Sequence, residues 1–138
     1  LINPFPLAVT PGFTIDVSHL SPPAELDQSW LNMLSTEAVK VPPGWVPLLL
    51  EMFVAIQRIQ KGGVAIPITK IFEDDGEMRV IYTTRSRAIH NLIEGYVKQA
   101  EETCENCSWP GQLTSVLGAG FSSYCPVCAF LFSVRSYR

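Results

Sequence analysis

Two Cys-x2-Cys pairs, "CENC" at Cys104 and Cys107 and "CPVC" at Cys125 and Cys128, stand seventeen residues apart in the last quarter of the chain. No other feature constrains the fold as much. A gap of two residues lets both sulfurs of one knuckle turn toward a single cation about 2.3 Å from each, and the loop brings the second knuckle round to complete a tetrahedron. Pro110-Gly111 after the first pair and Pro126 inside the second suit tight turns. The spacing therefore predicts a zinc-ribbon-like tail over residues 104–138, with Cys104, Cys107, Cys125 and Cys128 as ligands of a structural zinc ion. Four thiolates close the coordination sphere and leave no position for water or substrate. Two disulfides are the alternative in an exported protein, and a redox pair would call for a βαβ context that neither pair has.

Upstream, the pattern predicts helices around a small antiparallel sheet, an α+β fold in a single domain, residues 1–138. Within it we separate an N-terminal arm and helix (1–41), an α/β core (42–103) and the four-cysteine tail (104–138). Residues 1–24 are proline-rich and aperiodic, apart from a short strand expected in "FTIDVSHL". "SPPAELDQSWLNMLST" has the form of a helix start with Ser21 as N-cap, and Leu26, Trp30, Leu31 and Leu34 share a face. From Pro43 to Lys61, Trp45, Leu48, Leu49, Met52, Phe53, Ile56 and Ile59 recur at helical spacing, and Gly62-Gly63 stops the run. Val64, Ile66, Ile68 and Phe72 alternate, as do Met78, Val80 and Tyr82, around the "EDDGE" turn of a β-hairpin. Pro67 lacks a backbone N–H, so the first strand lies at an edge or begins later. Ser86 then caps a helix whose stripe is Ile89, Leu92, Ile93, Tyr96, Val97 and Ala100, with Glu94 and Lys98 paired on its wet face.

Charge bounds the function. The chain carries 10 basic and 13 acidic residues, a formal net charge of -3. The basic residues are scattered, whereas a nucleic-acid binder clusters them to displace counterions from phosphates. No apolar run reaches the roughly 20 residues of a membrane span, and the expected location is cytoplasmic. No nucleophile elbow, phosphate loop or HExxH pattern is present, so the chain is not expected to be an enzyme and has no catalytic candidates. His19 and His90 are read as surface or packing residues. Trp30, Trp45, Phe53 and Tyr96 are read as core, and Arg79 as the partner of a helix acid. Glu73, Asp74, Asp75 and Glu77 crowd the hairpin tip. They form either a solvated turn or a docking surface that steers a basic partner. Glu101, Glu102 and Glu105 make a second acidic group, beside Trp109, a candidate interface anchor or knuckle cap.

The order "PPGWVPLL", "ITKIFEDDGEMRVIY", "AEETCENCSWPGQL", "YCPVCA" resembles a family of small bacterial, often prophage-associated proteins. Those carry a Gly-Trp-x-Pro-Leu helix start, a Phe-Gly-Gly-Leu-Arg-Phe-Tyr-like hairpin and a Cys-x2-Cys-Gly-x-Pro-Gly tail. The resemblance spans residues 42–129. It rests on Gly44, Trp45, Pro47 and Leu48, then Lys70, Phe72, Gly76, Arg79 and Tyr82. In the tail it rests on Cys104, Cys107, Pro110, Gly111, Leu113, Cys125 and Cys128. This sequence departs from it at Ser108, where the family has glycine, and in a longer, more acidic hairpin turn. The resemblance implies a shared fold and points to mobile genetic elements. With small size and acidity, it favours a non-enzymatic inhibitor that binds a protein partner with a basic surface. Such an inhibitor would be an immunity protein against a toxin, or a phage-type protein that blocks a host defence complex. A zinc-ribbon nucleic-acid-binding regulator is the alternative.

Overall fold

The computed structural model describes residues 22–61, 65–116 and 120–136. Its architecture is α+β. Helix α1 (Gln28–Leu34) leads into a two-residue strand β1 (Val39–Lys40). A 3-10 turn (Pro43–Trp45) then opens helix α2 (Val46–Gln60). Strands β2 (Ile68–Asp74) and β3 (Glu77–Tyr82) form the hairpin, followed by α3 (Arg87–Glu101). The tail contributes β4 (Gln112–Val116), β5 (Gly120–Tyr124) and α4 (Pro126–Ser136). β2 is central in a three-stranded mixed sheet, pairing parallel with β1 and antiparallel with β3, while β4 and β5 form a separate antiparallel ribbon. No described helix is long and apolar enough to cross a membrane.

α2 is the centre of the core. Trp45, Leu49, Met52, Phe53 and Ile56 are fully buried, and Val46, Leu50 and Val54 on its other faces are buried too. A helix apolar on nearly all sides must be covered on nearly all sides. α3 packs along it with Ile89, Ile93 and Ala100, and α1 packs Trp30 against Phe53 with ring centroids 4.6 Å apart and the planes tilted by 34°. Ile59, expected on the apolar face, is 37% exposed and lies outside the core. The helix has reached its last turn there, and Lys61 ends it in the left-handed conformation. The Gly62-Gly63 stop, Val64, Ser21, His19 and the "FTIDVSHL" strand lie outside the described residues. α1 begins later than the proline pair suggested. The Leu26 N–H closes a single turn onto the Pro23 carbonyl, and the helix starts beyond Asp27.

The hairpin departs from simple alternation. β2 begins at Ile68, directly after Pro67, as the missing N–H requires. A bulge between Ile68 and Lys70 then shifts the register, so Ile68 and Ile71 are the buried pair and Phe72 is only partly covered. The turn is shorter than expected. Only Asp75 and Gly76 lie between the strands, both at positive φ, the combination that suits the twist of a two-residue hairpin. Arg79 pairs with Asp74 (3.4 Å) and Glu77 (3.1 Å) of its own hairpin rather than with a helix acid. On α3, Ser86 is the N-cap, its hydroxyl accepting from the Ile89 N–H. Glu94 accepts from the Tyr82 hydroxyl at 2.9 Å, and among the described residues no ion pair joins it to Lys98.

Candidate metal centre

Cys104 and Cys107 sit on the turn that follows α3, and Cys125 and Cys128 on the junction of β5 with the first turn of α4. The β4–β5 ribbon between them folds the second pair back onto the first. All four cysteines are free thiols, and their sulfur atoms lie within 4.8 Å of one another. A tetrahedral cation with metal–sulfur distances near 2.3 Å places its ligands about 3.8 Å apart, and the Cys107 and Cys125 sulfurs are already 3.6 Å apart. Cys104, Cys125 and Cys128 are buried, and Cys107 alone is partly open. The residues fit a metal ion.

Local electrostatics explains why such a cluster calls for one. Burial pushes the Cys107 thiol up to about 11 and raises Cys128 as well. Burial also acts against ionisation at Cys125. The N–H of Cys128, 3.4 Å from its sulfur, and the neighbouring thiols outweigh that effect and hold it below the usual thiol range. Thiolates held this close together would repel one another. A divalent cation would neutralise them and displace any thiol protons, which makes binding pH-dependent.

The first knuckle is seated on the α/β core by the Gly-Trp segment. The Gly44 N–H donates to the Glu105 carbonyl at 2.7 Å, and the Ser108 hydroxyl donates to the Gly44 carbonyl at 2.7 Å. The Trp45 indole N–H reaches the Thr103 carbonyl at 3.1 Å. A Cβ on Gly44 would overlap the Cys104 carbonyl oxygen, so only glycine admits the knuckle this close. Ser108 holds φ +73, a left-handed conformation that costs a non-glycine residue about 1 kcal/mol or more. Its hydroxyl bond to Gly44 offsets part of that cost.

A second contact joins the ribbon to the hairpin tip. The buried Ser123 exchanges two hydrogen bonds with Glu105. Its carbonyl accepts from the Glu105 N–H, and its N–H donates to the Glu105 carboxylate, both at 2.7 Å. The Ser123 hydroxyl then donates to the Gly76 carbonyl at 3.0 Å, and Asp75 accepts from the Phe121 N–H at 3.4 Å. Burial lifts the Glu105 carboxyl to about 8, with the nearby Glu73 charge adding to the rise and the Ser123 N–H opposing it. Glu105 is thus an internal strut and not part of a surface acidic group.

The tip residues divide in the same way. Glu73 caps the Gly76 N–H at 2.7 Å, and its carboxyl is raised, chiefly by burial. Asp75 meets Phe121, while Asp74 and Glu77 pair with Arg79. Trp109 shares its backbone with the knuckle, its carbonyl accepting from the Cys104 N–H, but its side chain is 50% exposed. Reading the sequence missed helix α4, and it missed Asn106, which is buried with its amide 3.4 Å from the Cys128 sulfur. It also missed the Tyr82–His90 contact. The Tyr82 oxygen lies 2.6 Å from His90 Nδ1, beside an open cavity of about 630 Å³ that Arg85 and Arg87 also line. Comparison of the chain with protein-family models, curated proteins and solved structures returns no match.

Proposed function

We propose that Cys104, Cys107, Cys125 and Cys128 hold one zinc ion in a structural role, and that the chain is a non-enzymatic inhibitor acting by binding a protein partner. Four thiolates in a closed tetrahedral set suit zinc, whose filled d shell imposes no other geometry. The ion would neutralise the thiolates and fasten the ribbon. The observation that carries the binding reading is the apolar exposure of the four-cysteine tail. Of seven large apolar side chains exposed among the described residues, five (Trp109, Leu113, Phe121, Val127 and Phe130) belong to this one module. Between Cys104 and Ser136 the only charged residues are Glu105 and Arg135. This concentration of exposed apolar side chains in one module supports an interaction role for it.

Trp109 is the proposed anchor. Its loop is tied to the end of α3, where the Gly111 N–H meets the Glu102 carbonyl and Glu101 and Glu102 are exposed. The matching partner has an apolar pocket with a basic rim, as a toxin or a defence-complex subunit that handles nucleic acid would. The scarcity of basic residues in the ribbon weighs against the nucleic-acid regulator. The test is metal analysis of freshly purified protein, followed by titration against a purified cognate toxin or defence-complex subunit. We expect one zinc per chain, and Trp109→Ala to speed dissociation at a cost of about 2 kcal/mol or more. A ribbon without metal, or unchanged kinetics for Trp109→Ala, refutes the corresponding half.

A further inference from the structure

Asn106 lies between the two cysteines of the first knuckle, where a tight turn ordinarily presents its side chain to water. Here it is 6% exposed. Its side-chain amide nitrogen donates to the Cys128 sulfur at 3.4 Å, across the metal cluster from its own knuckle. Its Oδ1 is buried without a hydrogen-bond partner among the described residues. A carboxamide buried with its acceptor unsatisfied is costly, and a leucine of similar shape would avoid the cost. The side chain is therefore held there for its donor. A metal-bound thiolate only accepts hydrogen bonds, so it demands the orientation observed, with nitrogen toward sulfur. Cys128 needs such help more than its neighbour, because the Cys128 backbone N–H is already directed at Cys125.

We propose that Asn106 is a positioning residue for the metal centre, donating to the Cys128 thiolate and so setting how tightly the ion is held and how fast it leaves. The inference rests on the metal-binding reading of the four cysteines. Groups that hydrogen-bond a metal ligand commonly change affinity about 10- to 100-fold when removed. Removing this donor takes away the contact that fixes the Cys128 sulfur in place and polarises it.

The test uses the full chain and zinc or cobalt(II) as probes. Zinc affinity is measured by competition with a chromophoric chelator for the wild type and for Asn106→Leu and Asn106→Asp. The sulfur-to-cobalt charge-transfer band is recorded for each. We expect Asn106→Leu to bind zinc about 10- to 100-fold more weakly and to shift the charge-transfer band to lower energy. Asn106→Asp, which sets an acceptor against the sulfur, should bind more weakly still. A purely packing role predicts the reverse for leucine, with affinity retained and the fold as stable or more stable. Zinc affinity within about twofold of wild type and an unmoved band would overturn the proposal while leaving the metal site intact. A wild type that binds neither ion sinks the metal reading itself. If the variants do not fold, the wild type decides alone. In the cadmium-113 form, scalar coupling between the Asn106 side-chain amide protons and the metal, through the hydrogen bond to sulfur, supports the proposal, and its absence from assigned signals refutes it.

Discussion

Replacing Gly44 with alanine tests whether the cysteine knuckle is seated on the core. The added Cβ would overlap the Cys104 carbonyl oxygen, and would stand 2.5 and 2.6 Å from the carbonyl carbon and oxygen of Glu105. All three atoms are backbone of the knuckle, so no side chain can swing aside. The two segments must part by roughly 1 Å to restore ordinary contact. That movement strains the bond from the Gly44 N–H to Glu105 and the bond from Ser108 to the Gly44 carbonyl, each 2.7 Å long. Overpacking costs about 1–3 kcal/mol and each weakened hydrogen bond about 0.5–1.5 kcal/mol, so the loss should be about 2–6 kcal/mol. Urea unfolding of metal-saturated protein measures it. Gly95→Ala is the control. That glycine lies exposed in α3 with nothing within 4 Å of the added Cβ, and the change should stabilise by about 0.5–1 kcal/mol through helix propensity. A chelator should shrink the Gly44→Ala deficit, since a knuckle without metal can shift more freely. Gly44→Ala protein within about 0.5 kcal/mol of wild type would show that the seat is not as described.

Other perturbations test separate parts. Cys104→Ser should abolish tight zinc binding and lower the thermal midpoint sharply, and equal midpoints under reducing conditions would count against a structural ion. Leu49→Ala and Ile93→Ala, fully buried on α2 and α3, should each cost about 2–5 kcal/mol in urea unfolding. Glu73 tests the hairpin tip through pH. Its folded carboxyl is raised above 4.5, first by burial and then by Asp74 and Asp75, against the opposing Gly76 N–H. Its contribution is therefore fully present below about pH 4.5 and lost as pH rises through the folded value. Glu73→Gln keeps an acceptor for Gly76, so its stability relative to wild type should grow as pH rises through that window. A difference that is flat or of opposite sign refutes the assignment.

The periodic parts of the fold were legible because local signals and burial agree there. α2 and α3 follow helical spacing, Ser86 caps where it should, and Asp75-Gly76 supplies the two positive φ angles that a two-residue turn demands. The misses share a physical origin in tertiary contacts. β1 is two residues long and exists because β2 offers it a parallel edge, which no local pattern announces. The bulge after Ile68 exchanges Phe72 for Ile71 at the core, since a one-residue shift turns a strand's faces over. That the four cysteines come together could be read from spacing alone. Asn106 could not, because a polar residue in a turn is expected to face water. Nothing local places it against a sulfur of the other knuckle, on the far side of the ribbon in sequence.

The hairpin acids show most plainly how chemistry suggested by composition is redirected by packing. Four carboxylates in five residues looked like a steering patch. In the fold, Asp75 and Glu105 instead accept from the outward N–H groups of Phe121 and Ser123 on β5. An unpaired edge strand invites pairing with another chain, and two carboxylates along it close that route. Glu73 organises the turn, and Asp74 and Glu77 are tied to Arg79. The tip's acids are thus engaged in contacts within the chain, although Arg79 balances the charge of only one of them. Glu101 and Glu102 remain exposed beside the Trp109 loop, close to the seated knuckle. If the chain docks on a basic partner through the Trp109 loop, these two glutamates, tied to that loop, should dominate its electrostatic steering. Charge reversal at Asp74 should then alter association less than reversal at Glu102, and the opposite ranking would return the interface to the hairpin.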